Sequence, residues 1–288
     1  TTAAALLALL QACTEPEFLE ITWSTNVAGV IPWAVKSGLE GKPVTISTSV
    51  TGGAGTISSA TTTSNNGPNV YDVAANWTTA VPVATDTAKW DNTDNSTLYD
   101  LSEAGATLAA AEVAQSYTGY IGLPKTNRDA VPYTEYRPDY LALDCSSWLI
   151  GTGPGQGSSR LKINSGTVQT AVVVNGTGTP IETNLEAFLW KGTHASNTMV
   201  IRDDASVGIA VFGAETAVLT SLKVEGRARV RCGAGVTLST VTVNGGELEI
   251  NSAVGTSLTV LDGTVTINGT GTVAQLNIRG GRVIYNTT

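Results

Sequence analysis

The stretch LSTVTVNGGELEINS, Leu238 to Ser252, alternates apolar and polar residues, stops at a glycine pair and alternates again. Successive side chains of a strand point to opposite faces. Leu238, Val241, Val243, Leu248 and Ile250 can therefore fill an interior while Thr240, Thr242, Glu247 and Glu249 face water. The phase resets at Gly245-Gly246, as it must where a chain turns a corner, and glycine supplies the positive backbone angle that a corner demands.

Three neighbouring segments carry the same pattern: LTSLKVEGRARVRCG from Leu219, SLTVLDGTVTING from Ser257 and VAQLNIRGGRVIYN from Val273. Their equivalent positions Val224, Val243, Val260 and Ile278 lie 19, 17 and 18 residues apart. That period is short for a propeller blade and contains no helical stretch. It fits one coil of a β-solenoid, in which each coil buries its apolar row only by stacking on the next. Residues 106–123, 139–153, 158–178 and 198–215 repeat the texture more loosely and are read as further coils. Between them, 124–138 and 180–197 are read as loop insertions projecting from one face.

The composition agrees. Of 288 residues, 31 are glycine and only 14% are charged, with one Met and three Phe, which is the makeup of an all-β chain. A net charge of −8 without any Lys/Arg run argues against nucleic acid, whose binding requires clustered cations. It equally disfavours anionic membrane surfaces. Cys13, Cys145 and Cys232 are odd in number and widely spaced, so they suggest small buried side chains rather than disulfides or a metal knuckle.

The first 50 residues read differently. An Ala/Leu segment, Thr2 to Ala12, predicts a short helix, and FLEITWST, GVIPWAVK and GKPVTISTSV predict strands. The apolar opening lacks a basic region ahead of it, so the expectation is synthesis in a cytoplasm without export. Residues 51–66, rich in Gly, Ser and Thr, predict a linker. The expected fold is thus all-β: a single-stranded β-solenoid (β-helix) over 67–288 with a small α+β module over 1–50, the latter expected to dock the chain.

GPNVYDVAANWTTAVPVATDTAKW, Gly67 to Trp90, resembles the opening segment of β-helical passengers in bacterial surface proteins of the autotransporter type, and of pectin-lyase-like solenoid proteins on tailed-phage virions. In those families a Trp and a Pro cap the open end of the solenoid. The resemblance implies that role for Asn76, Trp77, Pro82 and Asp86. The helix, PEFLEITW and GKPVTI of the N-terminal module are loosely similar to tailed-phage structural proteins.

Residues for catalysis are sparse. The single histidine, His194, stands in a polar loop, which leaves no His-based triad or zinc site. GTGPGQGSSR, from Gly151, lacks the spacing of a phosphate loop and no helix follows it. Solenoid lyases and hydrolases need converging acids. Asp203-Asp204, Asp91/Asp94, Asp139/Asp144 and Glu247/Glu249 are the available pairs. Glu247 and Glu249 share a strand face, but nothing else gathers there, and solvated strand charge is the simpler role. Five Asn-x-Thr matches, at Asn76, Asn95, Asn175, Asn268 and Asn286, arise by chance in so Asn- and Thr-rich a chain.

The sequence therefore points to a non-enzymatic structural protein without cofactor or metal. The resemblance suggests a phage virion component (head decoration, tail component or fibre), homo-oligomeric and in contact with other virion proteins, and located in the virion. Tyr133, Tyr136, Tyr140, Phe188 and Trp190 are the expected interface anchors in the two insertions. RGGRVIYNTT carries no polar cap, so a further subunit is expected to cover that end. The alternatives are a bacterial cell-surface adhesin or sheath protein and, third, a polysaccharide lyase or hydrolase.

Overall fold

The computed structural model describes residues 3–14, 21–25, 27, 30–35, 69–123, 139–182, 184–269 and 272–286. The expected linker, the 124–138 insertion and most of the N-terminal module lie outside the described residues. Within that module, helix α1 (Ala3–Gln11) and strands β1 (Ile21–Trp23) and β2 (Trp33–Val35) are present, the strands paired antiparallel. The Gln11 amide donates to the Trp23 carbonyl at 3.1 Å.

From Asn69 the chain winds into a parallel β-solenoid of about 10 turns. One face of the coil is a ladder of β3 (Thr87–Trp90), β5 (Ala110–Ala114), β7 (Ser147–Thr152), β9 (Ala171–Val174) and β11 (Thr198–Ile201). A second face is β4 (Ser102–Leu108), β6 (Leu141–Cys145), β8 (Leu161–Asn164), β10 (Phe188–Lys191) and β12 (Ser206–Ile209). The long strands β13 (Ala217–Cys232), β14 (Val236–Ile250) and β15 (Val254–Asn268) bend through the corner and serve both faces. The last coil is β16 (Leu276–Ile278) on the first face and β17 (Arg282–Asn286) on the second. A third, shorter ladder joins Leu219, Leu238, Val254 and Val273.

The register stacks like on like. Trp90, Val113, Ile150, Val174, Ile201, Val224, Val243, Val260 and Ile278 form one unbroken column. The 19-, 17- and 18-residue spacings are thus true coil repeats. Leu238, Val241, Val243, Leu248 and Ile250 are all buried, and Glu247 is exposed, as the alternation requires. Each fully buried aliphatic side chain contributes about 1.5–3 kcal/mol, but only because coils on both sides exclude water from it. Near the N-terminal end the core widens to take Trp148, which stacks on Trp90 at 6.0 Å and 19°.

The earlier coils differ from the sequence expectation in phase. Residues 139–153 and 158–178 each join the second-face strand of one coil to the first-face strand of the next. Residues 180–197 are not wholly loop, because β10 lies within them and pairs with β8 on one side and β12 on the other.

Candidate functional site

A built feature of the second face surrounds β10. Phe188 and Trp190 take the inward register, aligned with Val207 and Ile209, and are fully buried. The Trp190 indole N–H donates to Ser165 Oγ at 2.9 Å. Leu189 points the other way, and Tyr140, Leu185, Val211 and Phe212 close over it. This corrects the interface assignment: Phe188 and Trp190 belong to the core, and Tyr140, 3% exposed, belongs to the cluster over Leu189. A partner cannot reach these rings without opening the coil. Tyr133 and Tyr136 lie outside the described residues.

A polar network roofs that cluster. Lys191 Nζ stands 3.2 Å from Glu215 Oε1 and 4.0 Å from the centroid of the Tyr140 ring. The Tyr140 hydroxyl and the Phe212 N–H both donate to Glu215 Oε2 at 3.3 Å. Beside it lies an open groove of about 900 Å³, lined by Asn164, Lys191, Thr193, Phe212 and Glu215 among others. The groove offers amide, hydroxyl and ammonium groups, but its lysine and glutamate are already paired with each other. Lys191 and Glu215 sit on different coils, 24 residues apart, so no short motif could have revealed them.

Of the acids singled out from the sequence, Asp204, Asp144, Glu247 and Glu249 make contacts between coils, whereas Asp91 pairs with Lys89 of its own coil at 3.3 Å. Asp204 takes both Nε and an Nη of Arg227, at 2.7 and 2.9 Å. Glu225 holds Arg202 at 3.0 Å and Lys223 at 2.6 Å, and these contacts keep its carboxyl below the usual range. Glu247 pairs with Arg229 at 3.3 Å, and Glu186 with Arg231 at 2.8 Å. Asp203 forms the corner itself, at φ 53°. Asp144 accepts the Gly105 N–H at 3.1 Å. Among the described residues, no three His, Cys, Asp or Glu side chains gather as a metal site. His194 Nδ1 accepts the Ser196 N–H in its own turn.

Glu249 does something the sequence did not suggest. Its Oε1 accepts from Asn251 and Asn268, at 3.2 and 2.9 Å. Asn268 also donates to Asn251 Oδ1 at 3.2 Å, and Asn286 donates to Asn268 Oδ1 at 3.0 Å. Asn251, Asn268 and Asn286 thus form an amide ladder along the solenoid. The available signal was the recurrence of Asn at 17 and 18 residues, which is the coil period.

At the N-terminal end, Trp77 packs edge-on against Tyr71 and Trp90, at 5.1 and 5.4 Å. Its indole N–H donates to the Tyr71 carbonyl, and Asn76 Nδ2 donates to that of Val70 at 2.8 Å. Asp86 Oδ2 accepts the Val83 N–H at 3.0 Å, and Pro82 lines the same hollow as Trp77 and Asp86. The four residues expected to cap the solenoid thus stand together beside its first coil. Nearby, burial first, then the charges of Asp72 and Asp100, push the Glu103 carboxyl up to about 7.

No protein-family model, curated protein or solved structure matches this chain.

Proposed function

We propose that this chain is a non-enzymatic structural protein of a phage virion: a head decoration protein, a tail component or a fibre. The observation that carries the structural part is where its carboxylates go. Asp204, Glu225, Glu247 and Glu249 are each spent on an Arg or Asn of a neighbouring coil, and Glu186 reaches Arg231 two coils away. Side chains that could do acid–base chemistry instead tie the coils of the scaffold together. The virion setting draws on the resemblance of residues 67–90 to solenoid virion proteins, and with it come an oligomeric state and other virion proteins as partners. Cofactor, nucleic acid and membrane have no part in this role.

The test is mass spectrometry and antibody labelling of purified particles from the source phage or prophage. Stoichiometric recovery of the chain with the particle supports the proposal. Recovery on the intact bacterial surface, and not in particles, would favour the cell-surface alternative. Release of reducing sugar from host glycans by the purified chain would favour an enzyme.

A further inference from the structure

The first face of the solenoid carries a pattern that is balanced about its own middle. Along it Glu112, Leu149, Val173, Val200 and Lys223 stack in register, one on each successive coil. They alternate with the buried Trp148, Val172, Met199 and Leu222, so their side chains point outward, where each is half-buried in the sheet surface. The column reads acid, three aliphatics, base. Val173 is its midpoint, with Glu112 two coils to one side and Lys223 two coils to the other.

Beside it runs a second outward column, Ser147, Ala171, Thr198, Ser221 and Thr240, in which no side chain is larger than threonine. Short side chains on a flat sheet let another sheet approach to about 10 Å. The aliphatic column is the part of the face that such an approach would dry. All of these residues lie in the middle of the solenoid, on strands described throughout.

We infer that this face is the contact between two copies of the chain, related by a two-fold axis that runs along the strands at Val173, with the two solenoids antiparallel. The inference rests on the structural role proposed above and specifies its oligomeric state. The axis sets Val173 on Val173, Leu149 on Val200 and Glu112 on Lys223, each pair occurring twice except the first, as a two-fold contact requires. A two-fold along the solenoid axis would instead set every coil on its own counterpart, with Glu112 on Glu112 and Lys223 on Lys223, and like charges so opposed are costly. Within one copy Thr152 donates to Glu112 at 2.6 Å, Lys89 lies 3.9 Å from Glu112, and Lys223 lies 2.6 Å from Glu225. The Glu112 and Lys223 side chains stay 28% and 45% exposed, and a carboxylate accepts and an ammonium donates more than once. The charges therefore select the orientation, and the aliphatic column supplies the burial. With coils about 4.8 Å apart and strands spanning about 13 Å, seven overlapping coils remove on the order of 1,000 Å² from water over both copies, the lower end for a specific interface. The dimer should accordingly dissociate on dilution.

The experiment is sedimentation velocity and light scattering of the full chain over a range of concentrations, with cross-linking to read the orientation. Wild type should dimerise at tens of micromolar. Val173→Arg brings two guanidinium groups together on the axis and should weaken the dimer at least tenfold, with an unchanged circular dichroism spectrum because the side chain points outward. Thr87 and Thr240 lie on the small-residue column three coils to either side of Ala171. With Cys13→Ser in both chains, a short bismaleimide should join Thr240→Cys to Thr87→Cys in an equimolar mixture and should not join Thr240→Cys to itself. The inference is overturned if wild type stays monomeric at tens of micromolar, if Val173→Arg dimerises as wild type does, or if Thr240→Cys joins to itself and not to Thr87→Cys. A chain that dimerises through this face yet is missing from particles defeats only the virion role. A particle-bound chain that stays monomeric in solution defeats only this inference.

Discussion

Gly245 sits directly on Gly226 at the corner between the two main faces: a Cβ on Gly245 would lie 2.5 Å from the Gly226 carbonyl oxygen. Both residues have positive φ, 112° and 69°. Two constraints therefore coincide, since the backbone is left-handed and the coil beneath leaves no room for a side chain. Neither can relax alone, because moving one coil away from the other would break the ladder on both faces.

Gly245→Ala should cost about 3 kcal/mol, from left-handed strain and the carbonyl clash together. Gly255→Ala is the control. There the nearest atom to a new Cβ is the Leu238 carbonyl oxygen at 3.5 Å, and φ is not left-handed. It should be neutral, or stabilising by about 0.5 kcal/mol through the unfolded chain. Denaturant midpoints of the two variants at constant m-value make the comparison; equal losses would mean that the corner imposes no special constraint.

The amide ladder gives a second prediction. Removing the Asn268 side chain breaks its bonds to Glu249, Asn251 and Asn286 at once. Asn268→Ala should cost about 1–2 kcal/mol. Asn268→Asp should cost more at neutral pH, because a second carboxylate then faces Glu249, and much of the excess should vanish in acid. Chemical denaturation of both variants at pH 7 and pH 4 would show it; equal losses at both pH values would mean that Glu249 does not feel position 268.

The final coils were legible because their strands run almost unbroken through the corner and their columns keep a period near 18. Val224, Val243, Val260 and Ile278 align in sequence and in space alike. The earlier coils were blurred because long connections separate their strands, so a pair such as β6 and β7 reads as one coil although it spans two. Phe188 and Trp190 were misplaced for a different reason. β10 is buried on both faces, inward by the core and outward by the cluster over Leu189. A strand covered on both sides loses the alternation that would mark it. The asparagines repeat visibly, but Asn also suits any turn, so only the register shows that their amides meet.

The cysteines give a third prediction. Burial raises the Cys145 thiol to about 11 and the Cys232 thiol to about 12, and Cys13 alone is partly exposed. The thiolate is the reactive form. At pH 8 the folded protein should therefore react with one equivalent of a thiol reagent, at Cys13, and the unfolded protein with three. Rapid native labelling of Cys145 or Cys232 would show that the coils around them open easily.

Glu103 gives the last prediction, and its sign runs opposite to the usual carboxylate. Most acids in folded proteins are stabilised as the charged form, so stability falls as pH drops. The Glu103 carboxyl is instead raised from 4.5 to about 7, by burial first and then by Asp72 and Asp100. Below pH 4.5 it is protonated whether the chain is folded or not, and it costs nothing. Between pH 4.5 and 7 the unfolded chain releases this proton while the folded chain keeps it, so folding becomes progressively less favourable. Above 7 the penalty is complete and constant. Glu103→Gln should therefore leave Tm unchanged at pH 4 and raise it at pH 8, with the gain appearing across the window between the two pKa values. Thermal melts at half-unit steps from pH 4 to pH 8 would trace it. A gain that is equal at both ends of the range would assign the effect to packing at Glu103 rather than to its charge.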